Sequence, residues 1–181
     1  VDYFPNTYAE LTLQTPTGPE TVALVGPTTV HVQIAPNGAT GDSDGDGLDD
    51  AATEMVSMNL TGNSSLGQVT VDLDPNTPTL GLIEELANGT PGILNVPPFA
   101  NGMARSTFRV FPRIHVGTQT LHPATPIDMA AIIKHKPPGP GDSYTNVFLI
   151  PVDLLDANGN PTGIKIVREV HTPKPIEVDY F

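Results

Sequence analysis

Residues 21–34 read TVALVGPTTVHVQI. Val22 and Leu24, then Val30, Val32 and Ile34, recur at every second position, with polar or small residues mostly between them. Successive side chains of a β-strand point to opposite faces, so this period of two predicts strands with one face buried. The same alternation returns about every 10–15 residues: Leu11/Leu13, Val56/Met58/Leu60, Val69/Val71/Leu73, Phe108/Val110, Ile114/Val116, Ile164/Ile166 and Ile176/Val178. Turn signals separate the runs. They are Thr17-Gly18-Pro19, Pro36-Asn37-Gly38, Asp74-Pro75-Asn76, Asn101-Gly102, Pro137 to Gly141 and Asn158-Gly159. The expectation is an all-β protein: a β-sandwich, immunoglobulin-like or jelly-roll-like, of about 8–11 strands. Only Thr79–Asn88 suggests a short helix, with Leu82, Ile83 and Leu86 on one side and Gly89 just past its end. Lys134–Tyr144 (KHKPPGPGDSY) reads as a long ordered loop or a polyproline-like edge.

Composition narrows the function. Gly and Pro together make up about a fifth of 181 residues, in keeping with many turns. A net charge of -12 with only 8 basic residues argues against nucleic acid or an anionic membrane surface as a partner. The lack of cysteine excludes thiolate metal sites, thiol catalysis and disulfides. No apolar run approaches the length of a membrane span.

The stretch with the most specific chemistry is GDSDGDGLDD, residues 41–50. Asp42, Asp44 and Asp46 take positions 1, 3 and 5 of a calcium loop, and Gly47 takes position 6, where the backbone turns sharply. Leu48 would offer its carbonyl at position 7, and Asp50 a carboxylate or a water-bridged ligand at position 9. Six acidic residues lie between Asp42 and Glu54, and their repulsion calls for a hard cation, Ca²⁺. DSDGDGLDD resembles the DxDxDGxxD loops of thrombospondin type 3 repeats and dockerin modules. The pattern departs at position 12, which is Thr53, with Glu54 one place late as the candidate closing ligand. No flanking helix pair accompanies it, so the chain is not a dockerin.

Other strings carry less. Asp156–Asn160 (DANGN) has the spacing of a calcium loop, but reads better as a hairpin turn between Val152–Leu154 and Ile164–Ile166. Gly41–Gly45 matches G-x-S-x-G, yet two carboxylates flank Ser43 and would disfavour an alkoxide. Gly141-Asp142-Ser143 echoes a GDS hydrolase block without its companions. Glu84 and Glu85 are adjacent, diverge on any regular element, and read as charged helix surface. His31, His115, His122, His135 and His171 form no local zinc pattern, and His31 and His115 are expected to face solvent.

The ends share one tetrapeptide, Val1-Asp2-Tyr3-Phe4 and Val178-Asp179-Tyr180-Phe181, at an offset of 177 residues. This suggests one module, residues 1–177, with 178–181 opening a second copy. Together with the Asp42–Asp50 loop and His135–Asp142 (HKPPGPGD), the DYFPNT start is similar to modules repeated in very large secreted bacterial proteins. That resemblance implies an extracellular or cell-surface location. It also implies neighbouring copies as partners, joined covalently or by β-strand addition. The expected function is therefore a non-enzymatic structural module of a secreted surface protein or filament, braced by calcium. The alternative is an adhesive or carbohydrate-binding module with a glycan ligand.

Overall fold

The structure, a computed structural model, describes residues 1–146 and 151–174. Val178–Phe181 and the predicted Ile176/Val178 strand lie outside the described residues. The chain is all-β, as its alternation predicts. The described strands are β1 (Asp2–Thr15), β2 (Gly18–Val32), β3 (Asp50–Ser64), β4 (Gly67–Leu73), β5 (Thr79–Glu85) and β6 (Ala104–Val110), followed by β7 (Pro112–Val116), β8 (Gln119–Pro123), β9 (Ile127–Ile133), β10 (Tyr144–Asn146), β11 (Val152–Leu155) and β12 (Pro161–Thr172). Twelve exceeds the expected 8–11, because several alternating runs are too short to count as strands by themselves.

All twelve belong to one antiparallel sheet, whose layers face each other because the sheet closes on itself twice. The long strand β3 divides its pairing. Asp50–Met55 pair with β5, and Asn59–Ser64 pair with β4. The strand β12 divides likewise, with Val170 and His171 on β10 and Pro161–Ile166 on β11. The first ring runs β1-β2-β3-β5-β6-β9-β10-β12 and back to β1. The second runs β1-β2-β3-β4-β7-β8-β11-β12 and back to β1. Two eight-stranded rings are thus stacked end to end and share β1, β2, β3 and β12. Among the described residues each ring of strands closes on itself, which answers the aggregation hazard of a large flat sheet.

Prolines mark where the shared strands bend. The β1–β2 register shifts between Phe4 and Thr7, across Pro5 and opposite Pro27. Proline donates no ladder hydrogen bond, so the two tolerate each other only at such an irregularity. A second shift, at Thr29/Val30 against Met55 and Ser57, turns Val56 outward although it alternates with Met58 and Leu60 in sequence.

The predicted helix at Thr79–Asn88 is strand β5 instead. Thr79, Ile83 and Glu85 point inward from a strand held between β3 and β6. The helical spacing of Leu82, Ile83 and Leu86 loses to two ladders of backbone hydrogen bonds, a tertiary effect that outweighs local propensity. Lys134–Ser143 is a long ordered connection, and Asp156–Asn160 is the turn between β11 and β12, with Gly159 at φ 80°. Here Asp156 accepts the N–H groups of Asn158 and Asn160 at 2.8 and 2.9 Å. These bonds hold its carboxyl below the usual range, the Asn160 bond most strongly.

The rings differ inside. The second is packed with Leu11, Leu13, Val22, Leu24, Leu60, Val69, Val71, Ile114, Leu121, Leu154 and Ile166, all buried. The first is lined by larger and more varied side chains and is incompletely filled.

Candidate functional site

The interior of the first ring holds a cavity of about 50 Å³. A single water needs about 10–15 Å³ on this measure, so the space exceeds a packing defect. Residues from the strands of the ring supply its wall: Phe4 from β1, Val30 and Val32 from β2, Met55 from β3, Ile83 from β5, Phe108 and Val110 from β6, Met129 from β9 and Tyr144 from β10. Phe108 and Tyr144 meet in a tilted pair, centroids 5.8 Å apart. The Tyr144 hydroxyl donates to Ser106 Oγ at 2.8 Å, and burial first of all pushes its ionisation far up. Asp2, Pro138 and Pro173 complete the lining. Lys136, on the β9–β10 connection, forms a buried ion pair with Asp2, and its backbone N–H donates to the Pro97 carbonyl at 2.7 Å.

Three hydroxyls interrupt the apolar wall. Thr7, Thr28 and Thr53 are nine-tenths buried or more, line the cavity, and their Oγ1 atoms have no hydrogen-bond partner. A buried hydroxyl left unpaired costs about 1–3 kcal/mol, so three around one cavity are a large concession by the fold. The fourth polar feature is on β12, where His171 lines the cavity and its Nε2 stands 2.6 Å from Glu169 Oε1. None of these residues belongs to a recognisable local motif. The only trace in the sequence is that Glu169 and His171 stand two apart on a strand, on the face where Ile166 is also buried after a register shift.

The Gly41–Asp49 loop is the last part of the connection from β2 to β3. Asp42 accepts the N–H groups of Gly45 at 2.6 Å, Asp46 at 3.2 Å and Gly47 at 2.8 Å. These bonds, Gly47 foremost, hold its carboxyl below the usual range. Gly47, at φ 96°, makes the turn that position 6 requires. Carboxylate oxygens of Asp42, Asp44 and Asp50 come within 4.8 Å of one another, and so do those of Asp44, Asp46 and Glu84. The Leu48 N–H donates to Asp46 at 2.9 Å. Glu54 is not brought to either group, because it lies four residues past Asp50 along β3, where it pairs with Leu80. Glu84 joins from the neighbouring strand, in register with Asp50. Burial, and then the charges of Asp46, Asp44 and Asp50, raise its carboxyl above the usual range.

Glu85 corrects the reading of a charged surface pair. It is fully buried, and its carboxylate accepts the N–H groups of Asp49 at 3.0 Å and Asn95 at 2.9 Å. Asp49 in turn accepts the Gly92 N–H at 2.6 Å. Glu85 thus ties the acidic loop to the β5–β6 connection. The remaining candidates are structural. Ser43 donates to Asp50 at 2.6 Å, and Ser143 shares a hydrogen bond with Thr172 at 2.9 Å. His31 is exposed as expected. His115, expected in solvent, is half-buried between Thr120 at 3.1 Å and Asp72 at 3.2 Å.

No protein-family model matches the chain, and no curated protein matches it. Among solved structures, the fold is similar to that of DynF from the dynemicin biosynthesis pathway of Micromonospora chersina, with a TM-score of 0.71 and 20% identity over 96% of this chain and 80% of that one. At this identity the likeness is one of fold. It overturns the expected non-enzymatic structural module of a secreted surface protein or filament, together with its adhesive or carbohydrate-binding alternative. A protein of a biosynthetic pathway shares this architecture along nearly the whole chain.

Proposed function

We propose that this chain serves a biosynthetic pathway by taking an apolar small molecule into the first ring. The molecule would carry a group, such as a carbonyl, that accepts hydrogen bonds. The observation that carries this reading is the cavity itself, apolar on most sides, with the unpartnered Thr7, Thr28 and Thr53 hydroxyls at its wall. Apolar surroundings supply affinity, and a few placed donors supply orientation. Membership of DynF in a biosynthetic pathway supports the setting.

The test pairs stability with binding. Thr53→Val removes one unpaired hydroxyl and is expected to raise the Tm by about 2–12 °C, from about 1–3 kcal/mol at roughly 2–4 °C per kcal/mol for a chain of this size. Val30→Phe places a ring in the cavity and is expected to abolish saturable binding of the fluorescent probe 1-anilinonaphthalene-8-sulfonate while the fold persists by circular dichroism. Equal binding by folded Val30→Phe and parent protein would remove the cavity as the ligand site.

We further propose that Ca²⁺ braces the Asp42–Asp50 loop. Hard carboxylate oxygens from Asp42, Asp44, Asp46, Asp50 and Glu84 suit that ion, and the turn at Gly47 is formed. A ligand of the native state adds about 2.7 kcal/mol at a hundred times its Kd. Melts with calcium and with EDTA should therefore differ by several degrees, and Asp44→Asn should shrink the difference. Superimposable melts would dismiss the ion.

A further inference from the structure

Glu169 and His171 stand two residues apart on β12, and both face the interior. Their side chains are each more than nine-tenths buried, and Nε2 of the imidazole lies 2.6 Å from Glu169 Oε1. A carboxylate at that distance keeps the proton on Nε2 and leaves the Nδ1 lone pair available. Nδ1 has no hydrogen-bond partner among the described residues, and the ring lines the cavity. The same wall holds the Thr7, Thr28 and Thr53 hydroxyls, three donors with nothing to donate to. A base oriented by a carboxylate, donors for a developing negative charge and a mostly apolar enclosure together form the equipment of proton transfer at carbon.

We propose that the chain is an enzyme, and that the Glu169–His171 pair moves a proton on a carbonyl-bearing apolar substrate, shifting a double bond. The inference rests on the reading of the cavity as a ligand site. His171 Nδ1 takes a proton from the carbon beside the carbonyl. The C–H electron pair becomes a carbon–carbon double bond, and the carbonyl π pair moves onto oxygen, where threonine hydroxyls donate to it. The imidazolium then returns the same proton to the far end of the conjugated system, and the carbonyl re-forms. Atoms and electrons balance without an oxidant or reductant. His171 is the catalytic residue, and Glu169 is a positioning residue that sets its tautomer and balances its charge.

The test uses the whole chain and 5-nitrobenzisoxazole, a generic carbon acid. A base removes its ring C–H proton, the electron pair completes a nitrile, and the N–O bond breaks to release a coloured nitrophenolate. Saturable turnover is expected, falling about 10²–10⁴-fold in kcat for both His171→Gln and Glu169→Gln with KM unchanged. Displacement of 1-anilinonaphthalene-8-sulfonate reports probe binding separately. Binding without turnover, or turnover unaffected in His171→Gln, overturns the pair while leaving the cavity reading in place. Failure of the probe to bind overturns the cavity reading and the pair with it. An independent readout is the ¹⁵N spectrum of the His171 ring at alkaline pH, where a protonated Nε2 and a bare Nδ1 are expected and the opposite tautomer refutes the arrangement.

Discussion

Glu85→Ala is expected to destabilise the protein by about 3–5 kcal/mol, which at roughly 2–4 °C per kcal/mol lowers the Tm by about 6–20 °C. Glu85 is fully buried, and its carboxylate accepts the N–H groups of Asp49 and Asn95. Alanine leaves both donors buried without a partner and opens a void where the side chain stood. The effect should spread to the acidic loop, because Asp49 is its last residue before β3 and also holds Gly92. Glu85→Gln keeps the shape and one accepting oxygen, so its loss should be clearly smaller. Thermal unfolding of the two variants checks this. Alanine and glutamine variants that melt together near the parent would show that the two contacts do not brace the loop.

Lys136→Met is expected to cost about 3–5 kcal/mol, since removing one partner leaves the Asp2 carboxylate buried without its counter-charge. The side chains of Lys136 and Asp2 are only 6% and 10% exposed, so solvent cannot take over the missing role. The pair ties the first strand to the connection between β9 and β10 at the mouth of the first ring. The double variant Asp2→Asn, Lys136→Met should recover most of the loss, because no unpaired charge remains. Urea unfolding of the single and double variants decides the matter. A single variant within 1 kcal/mol of the parent, or a double variant no better than the single, would show that the contact is solvated rather than buried.

Much of the architecture was legible in residues such as Val22, Leu24, Val30 and Leu60. Their period of two reports a buried face whatever the partner strand is. The turns at Gly18, Gly159 and Gly47 were legible as well, because a backbone with positive φ selects glycine locally. The register shifts were not. Val56 reads as inward and points outward, because the bulge that turns it depends on where β2 and β3 meet. Glu85 read as surface for a related reason: charge predicts exposure until two N–H groups from distant loops close on it.

The candidate sites divide in the same way. Asp42, Asp44 and Asp46 lie within one loop, so their convergence follows from spacing and one glycine turn. Glu54 was chosen from spacing alone and is carried away by β3, while Glu84 arrives from another strand through the pairing of β3 with β5. The interior site had no local signature. Thr7, Thr28, Thr53, Glu169 and His171 come from four strands, and each alone is an ordinary strand residue.

By itself, then, the amino-acid sequence determined the β class, the turns and the acidic loop, since all three follow from the conformational preferences of neighbouring residues. Only the tertiary structure decided that β3 and β12 each divide their partners, so that one sheet closes into two rings, one packed and one hollow. Ring closure is a long-range pairing of strands far apart in the chain, and the unpaired hydroxyls and the imidazole share a cavity only once that pairing is made.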